Sequence, residues 1–327
     1  MMKRISFIVL LHVVLSSSLK ITAQMQATYT NFLMNEYYYN PAIAGSKNVH
    51  TANMSYRNQW TGFEDAPVTF MGNFNGSIKN KGKHGYGISL ISDRLGLMQN
   101  TGVYLNYAYH VKLGEKLKLG LGVQPGYVQY RIRLYDARIV DAADAVLTGN
   151  VYAANAVDLN SGIHLYSKKF FLMASVHQIL GKSIEFTTFN SSLQMHYVGI
   201  MGYTFEKEKS KWSFQPAILA RQMGSFPLQW NAMLKVAYDK KYWGGMVYRS
   251  NDAAAICAGI RLKDRYELGY SFDYSLSGIS QYQNGTHEIT LSFVTTKPKP
   301  SLEEEDEKLN NSIMEEMKKK AKEKETK

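Results

Sequence analysis

Four charged residues, Arg57, Arg249, Asp273 and Glu288, occupy polar positions in segments where polar and apolar side chains alternate. Two guanidinium groups and two carboxylates could pair with one another, or could bind a charged ligand, if the fold brings them together. Charges beside an apolar wall need partners. We therefore expect an ion-paired cluster that braces the fold, with a binding role as the alternative.

Motifs for catalysis and cofactor binding are missing from the sequence. The run GLGVQPG, residues 120–126, lacks the G-x-G-x-x-G spacing of a dinucleotide site and does not open a helix. No G-x-S-x-G, H-E-x-x-H or CxxC motif occurs, and the one cysteine, Cys257, cannot form an internal disulfide. His110, His164 and His177 are too isolated to indicate a metal site. The sequence thus predicts neither an enzyme nor a cofactor.

The alternation of side chains predicts strands. In RYELGYSFDYSL, residues 265–276, large apolar side chains fall on one face of an extended segment and polar or small ones on the other. The chain contains 23 Tyr, 14 Phe and 25 Gly but only 7 Pro, which is typical of many strands joined by turns. After the N-terminal region, no apolar run is long enough for a transmembrane helix. We therefore predict an all-β chain.

Such segments recur about fourteen times, each roughly ten residues long, as in outer-membrane barrels. Connections after the even-numbered segments are short and charged, whereas those after segments one, three, five, seven and thirteen are longer. The longest predicted loop runs from Leu134 to Ala156. The predicted starts are Val49, Pro67, His84, Thr101, Lys116, Asp158, Phe170, Gln194, Lys211, Leu228, Tyr242, Ala253, Arg265 and His287.

An even number of strands with alternating connections predicts a closed antiparallel transmembrane β-barrel of about 14 strands, with both termini periplasmic. A soluble β-sandwich would share the alternation. Aromatic residues near strand ends, such as Trp60, Tyr242 and Trp243, favour the membrane barrel, because these side chains concentrate at bilayer interfaces. Closure would place strands thirteen, fourteen and one side by side, with Arg57, Asp273 and Glu288 facing the lumen.

Composition divides the chain into four parts. Residues 1–23 predict a signal peptide, with a basic start, a short apolar run and a small residue before the cleavage site. Residues 24–48 form an N-terminal segment that could plug the lumen or lie beneath it, and 49–296 form the barrel. Residues 297–327 form a charged periplasmic tail, either helical or unstructured. The net charge of +11 is scattered through turns, so nucleic acid is not an expected partner.

Several motifs resemble the PorP/SprF family of outer-membrane proteins of the type IX secretion system. The N-terminal stretch YYYNPAIAGSKNVHTANMSYRNQWTGFEDAPVTF carries the most specific match, and weaker ones follow in NSG, VYR and NGTHEITLSF. The residues that carry the resemblance are Asn40, Pro41, Ala42, Gly45, Ser46, Tyr56, Arg57, Gln59, Trp60, Pro67, Asn160, Gly162, Tyr248, Arg249, Gly285, His287 and Glu288.

The resemblance implies a non-enzymatic outer-membrane barrel that binds and anchors an exported adhesin, or helps it reach the cell surface, often in gliding bacteria. Such a partner would carry a type IX C-terminal sorting domain. The tail could contact other secretion or periplasmic envelope components, and the barrel wall would contact outer-membrane lipid. The alternative function is a transport channel for solutes or apolar molecules, since about fourteen strands could leave room for a pore.

Overall fold

A computed structural model describes residues 27–47, 49–78, 82–133, 151–181, 183–185, 190–208, 210–224, 226–295 and Met314. The predicted signal peptide and nearly all of the predicted tail lie outside the described residues, as does most of the predicted loop from Leu134 to Ala156. Within the described ranges, no helix has the length and hydropathy to cross a membrane.

Two short helices precede the strands: α1 (Glu36–Tyr39) and a 3-10 turn (Pro41–Ile43). Among the described residues, seventeen strands follow: β1 (Thr51–Asn58), β2 (Val68–Ser77), β3 (His84–Leu95), β4 (Met98–Lys112), β5 (Lys118–Arg133), β6 (Val151–Tyr166), β7 (Phe170–His177), β8 (Ser183–Glu185), β9 (Asn190–Ser192), β10 (His196–Tyr203), β11 (Phe205–Glu206), β12 (Trp212–Met223), β13 (Gln229–Tyr238), β14 (Tyr242–Arg249), β15 (Ala253–Leu262), β16 (Tyr266–Ser275) and β17 (Thr286–Val294). A second 3-10 helix (Gly278–Tyr282) lies between β16 and β17.

The strands form a closed antiparallel barrel. Consecutive wall strands pair with each other, β10 pairs with β12, and β1 pairs with β17 from Thr51–Val294 to Asn58–His287. Three short strands stand apart from the 14 of the wall: β8 and β9 form a separate hairpin, and β11 extends one edge of β12. The predicted 14-stranded barrel is therefore confirmed.

The two faces of the wall differ as the alternation predicts. On β1, Met54 is 57% exposed, whereas Ser55 and Arg57 are buried in the interior. On β4, Leu105 is 60% exposed, whereas Asn106 is buried. The wall thus presents an apolar outer surface suited to lipid and an inner surface that mixes polar side chains with apolar ones.

The barrel has two distinct ends. At the turn end lie Thr51, Val294 and the connections β2–β3, β4–β5, β6–β7, β10–β12, β13–β14 and β15–β16. At the loop end lie the remaining connections, including residues 59–67 between β1 and β2 and residues 276–285 between β16 and β17. These two loops contact each other through Thr61 N–H to the Gly285 carbonyl, at 2.8 Å.

Two predicted connections are wrong. The connection after the third strand was expected to be long, but β3 and β4 meet through Gly96 and Leu97 alone, with Leu95 opposite Met98. The loop expected to last until Ala156 ends earlier, because β6 begins at Val151. In both places the ladder continues beyond the apolar belt, where water can solvate polar side chains and the apolar alternation is no longer required.

Residues 27–47, here called the lumen segment, fill the interior of the barrel. Tyr29, Phe32, Tyr37, Tyr39 and Ile43 are buried in the main apolar cluster. Their neighbours in that cluster are inward-facing wall residues such as Met71, Met173, Leu219, Met233 and Trp243. The lumen segment runs from Thr30, near the loop end, to Gly45, near the turn end.

Candidate functional site

The four charged residues singled out in the sequence lie together inside the barrel near its loop end. Arg57 Nη2 lies 2.8 Å from Asp273 Oδ2, and Arg57 Nη1 lies 3.1 Å from Glu288 Oε2. Arg249 Nη1 lies 3.3 Å from Asp273 Oδ2 and 2.9 Å from Asp252 Oδ2. Arg57, Arg249, Asp273 and Glu288 are all buried and are called the charge cluster below.

The lumen segment supplies the remaining hydrogen bonds of the charge cluster. The N–H groups of Thr30 and Asn31 donate to the two carboxylate oxygens of Glu288, at 2.8 and 3.0 Å. The Thr30 hydroxyl lies 2.7 Å from Asp273 Oδ1 and accepts from Arg57 Nη1 and Arg249 Nη2, at 3.1 and 3.0 Å. Charged groups with this many short contacts hold the start of the lumen segment firmly.

Glycines hold the other end of the lumen segment. Five of them face the lumen from β3, β5 and β6 and are called the glycine patch: Gly85, Gly87, Gly120, Gly122 and Gly162. A β-carbon on Gly85 would lie 1.9 Å from the Ala44 carbonyl oxygen, and one on Gly122 would lie 2.3 Å from the Ala42 nitrogen. The backbone of the segment therefore lies directly against the wall, where no side chain fits.

Polar groups beside the glycine patch fix the position of the segment. Asn40 Nδ2 donates to the Ile163 and Ala174 carbonyls at 2.8 and 3.1 Å, and its Oδ1 accepts from Ala42 N–H at 2.8 Å. Asn106 Nδ2 donates to the Pro41 carbonyl at 2.9 Å. The Asn40 amide thus donates through its nitrogen and accepts through its oxygen, and a hydrophobic side chain could do neither.

The middle of the segment is held by hydroxyl groups. Ser175 Oγ donates to the Tyr39 carbonyl at 2.6 Å, and Ser55 Oγ donates to Asn35 Oδ1 at 2.9 Å. The Tyr39 hydroxyl accepts from Tyr29 N–H at 2.8 Å. The lumen segment is thus bound along its whole length.

Residues that carried the family resemblance fall in several places. Arg57, Arg249 and Glu288 belong to the charge cluster, and Asn160 and Gly162 face the lumen on β6. Asn40, Pro41, Ala42 and Gly45 belong to the lumen segment. Gln59, Trp60, Pro67 and Gly285 lie at the loop end, where Gln59 N–H donates to the Pro67 carbonyl and Trp60 N–H donates to Thr286 Oγ1.

Three further resemblance residues, Tyr56, Tyr248 and His287, face outward on the wall. Tyr56 and Tyr248 are exposed, and His287 Nδ1 is 2.7 Å from the Tyr270 hydroxyl. These residues lie in the lipid-facing surface, away from the charge cluster. They contribute nothing to the interior site.

Sequence reasoning missed Thr30, Asn31 and the role of the glycine patch, of which it had singled out only Gly162. Nothing in the types of Thr30 and Asn31 marks them as partners of distant carboxylates. A signal did exist for the glycines, because Gly85 with Gly87 and Gly120 with Gly122 repeat at a spacing of two, which places each pair on one face of its strand. Among the described residues, no group of three or more potential metal ligands comes together.

Three solved barrels illustrate the structural likeness. The chain is similar to the CymD monoaromatic hydrocarbon channel, with 9% identity and a TM-score of 0.47 over 83% of this chain and 94% of that one. A Pseudomonas aeruginosa FadL homologue shares 8% identity with this chain, with a TM-score of 0.42 over 77% of this chain and 93% of that one. The Acinetobacter baumannii outer membrane protein Omp33 shares 7% identity with this chain, with a TM-score of 0.42 over 75% of this chain and 97% of that one.

No curated protein matches the sequence. The family described as "Type IX secretion system membrane protein PorP/SprF" matches residues 21–293, which include the lumen segment and nearly every strand of the wall. The match therefore extends over both the barrel and its contents. The chain belongs to the PorP/SprF family of type IX secretion system membrane proteins, and its fold is an outer-membrane β-barrel.

Proposed function

We propose that this protein is a sealed, non-enzymatic barrel that holds an exported adhesin at the cell surface. The partner would carry a type IX C-terminal sorting domain, and the loop end would face outward to receive it. The turn end, with Thr51 and Val294, would then face the periplasm. Family membership supports the secretion context, and the filled lumen supports an anchor over a solute pore.

The observation that carries the proposal is the fixed lumen segment. It is bound by the charge cluster near the loop end and by the glycine patch near the turn end. A segment fastened at both ends, with buried aromatic side chains between, leaves the interior occupied by closely packed side chains. Such an interior suits a rigid platform for a partner and does not suit passage of hydrated solutes.

Deletion of the gene tests the anchoring role. Surface proteins of the deletion strain and its parent are biotinylated on intact cells and compared by mass spectrometry. We expect loss of at least one protein with a type IX C-terminal sorting domain from the surface, with its recovery on complementation. An unchanged surface proteome would contradict the proposal.

The alternative function, a channel, is tested by conductance. The purified barrel is inserted in planar bilayers and compared with a variant that lacks residues 27–47. An anchor predicts near-silent wild-type protein and measurable steps only after removal of the lumen segment. Steady conductance of the wild-type protein, or uptake of a solute that the deletion strain loses, would favour the channel.

A further inference from the structure

The outer face of the wall carries an apolar groove with a volume of about 1080 Å³. It crosses the strands from β10 to β16, between two neighbouring rows of outward-facing side chains. The second row lies one step nearer the turn end and includes Leu234, Met246 and Ile256. The first row consists of residues that lie opposite one another on successive strands: Met201, Ile218, Ala232, Tyr248, Ala254 and Tyr274.

The groove runs obliquely across the span of the wall. Its lower end includes Phe170 and Tyr203, the first residue of β7 and the last of β10, both at the turn end. Its upper end includes Tyr274, next to the last residue of β16, at the loop end. Five strand spacings of about 4.8 Å make it roughly 24 Å long. An acyl chain that enters at the turn end can thus reach the middle of a hydrocarbon core of about 30 Å.

Side chains of unequal size give the groove its depth. Ala232 and Ala254 lie opposite Tyr248, one on each neighbouring strand, and leave low points on both sides of it. In the second row Met246 and Ile256 project outward and are 66% and 63% exposed. Because the lining is almost entirely apolar, a hydrocarbon chain fits it without leaving polar groups unpaired.

Three neighbouring turns surround the lower end of the groove and are called the groove foot. They are formed by residues 167–169, 204–211 and 239–241. These turns contain seven lysines and three acidic residues, a net charge of +4. Backbone hydrogen bonds of 2.7 Å join them, from Thr204 N–H to the Lys169 carbonyl and from Asp239 N–H to the Lys211 carbonyl. The positive charge is therefore concentrated in one compact surface.

The groove foot lies at the level of a bilayer interface. Trp212 and Tyr238 lie at the turn ends of β12 and β13, with their ring centres 4.8 Å apart. Aromatic residues concentrate at the level of lipid headgroups. Lys169, Lys207 and Lys211 are exposed in the adjoining turns. Ammonium groups at this level attract anionic headgroups.

We propose that the groove binds an anionic phospholipid, with one acyl chain along the groove and the phosphate at the groove foot. The site needs only a lipid-facing wall, so it is independent of the anchoring function. A zwitterionic phospholipid offers the same chain but no net negative charge to the lysines. A second copy of this protein, packed groove to groove in the same membrane, would bring its own lysines to the groove foot, and like charges oppose that contact.

Native mass spectrometry of the purified barrel tests the headgroup. The barrel in detergent is incubated with phosphatidylglycerol or with phosphatidylcholine of identical acyl chains, and the retained lipid is counted. We expect the wild type to retain about tenfold more phosphatidylglycerol, and Lys169→Gln/Lys207→Gln/Lys211→Gln to lose that preference. Equal retention of the two lipids by the wild type would overturn the proposal.

The matched control is Lys83→Gln/Lys112→Gln/Lys116→Gln. These three lysines are also exposed at the turn end, but they lie on the β2–β3 and β4–β5 side, away from the groove. The control should keep the preference for phosphatidylglycerol. Loss of the preference in both variants would overturn the assignment of the headgroup to the groove foot.

Filling the groove tests the acyl chain. Ala232→Phe/Ala254→Phe adds two large side chains at the low points and keeps the surface apolar. We expect it to retain about tenfold less phosphatidylglycerol than the wild type. Ala174→Phe/Ala258→Phe, at two exposed alanines of the outer wall outside the groove, should retain the wild-type amount. Heat-dependent migration on gels verifies that every variant forms a folded barrel.

Two outcomes of the groove experiment contradict the proposal. Unchanged retention of phosphatidylglycerol by a folded Ala232→Phe/Ala254→Phe barrel would overturn the groove as the binding site. A mass of two copies of the chain without lipid, lost in the same variant, would replace the phospholipid by a second barrel as the occupant.

Discussion

The two ends of the lumen segment are held by opposite means. At the loop end, the charge cluster binds Thr30 and Asn31 through buried ionised side chains. At the turn end, the glycine patch has no side chains, which leaves room for Tyr37 and for residues 40–45 against the wall. Removing a charged side chain should break the contact at the charge cluster, whereas adding a side chain to a glycine should break the contact at the glycine patch. Substitutions in opposite directions therefore distinguish them.

The largest effect is expected at Arg57. Arg57→Ala leaves Asp273 and Glu288 buried with fewer cationic partners, and breaking a buried ion pair costs about 4 kcal/mol. Urea titration of the purified barrel in detergent should show this loss of unfolding free energy. Arg261→Ala is the control, because Arg261 pairs with Glu267 on a partly exposed site and should cost less than about 1 kcal/mol. Equal effects for the two variants would contradict a bracing role for the charge cluster.

Gly122→Leu should rank next. The new side chain meets the backbone of Pro41 and Ala42, which cannot move without displacing the lumen segment. Overpacking of this kind costs about 3 kcal/mol, and we expect bilayer conductance to appear as the segment is expelled. Gly199→Leu on β10 is the matched control, since only ordinary contact surrounds a β-carbon there. A Gly122→Leu barrel that conducts no current and unfolds with the wild-type free energy would show that the glycine patch is not required to hold the lumen segment.

A smaller effect is expected at Asn40. Asn40→Ala removes the hydrogen bonds to the Ile163 and Ala174 carbonyls, which costs about 2 kcal/mol in the same urea titration. Asn155→Ala, on the outer face of β6, should change the unfolding free energy little. A stability loss confined to Asn155→Ala would contradict the assignment of Asn40.

The smallest effect is expected at Lys47. Its ammonium lies 3.0 Å from Glu36 Oε2, but the lysine side chain is 65% exposed, so Lys47→Ala should cost about 0.5 kcal/mol. Raising salt to 1 M should remove most of that difference, because screening acts on exposed pairs. The penalty of Arg57→Ala should persist in salt, and its disappearance would argue that the charge cluster is open to solvent.

The comparison also shows what the sequence can and cannot predict. The charge cluster could be predicted because alternation places Arg57, Asp273 and Glu288 on the lumen face, and closure of the barrel makes their strands neighbours. The glycine patch could not, since glycine in a strand also indicates a bend, and the ligand of the patch is a distant backbone. Thr30 carries no mark of its role because its contacts are 243 and 258 residues away.

The extent of each strand could be predicted only where the strand faces lipid, because only there must apolar and polar side chains alternate. Across the belt, apolar alternation located nearly every strand to within a few residues. At its loop end, β6 continues from Asp158 back to Val151, but small and polar side chains such as Ala153 and Asn155 interrupt the apolar outer face there, so the sequence predicts a loop instead. The interrupted alternation also explains why the short connection between β3 and β4 was not predicted.

The position of Thr30 has a consequence for biogenesis. Its partners Asp273 and Glu288 belong to the final two strands, so the earliest residues of the barrel and the last ones to be synthesised meet at a single point. A chain truncated before β16 would leave Thr30 and Arg57 without their carboxylates. The lumen segment thereby makes completion of the polypeptide a condition for a stably assembled ring.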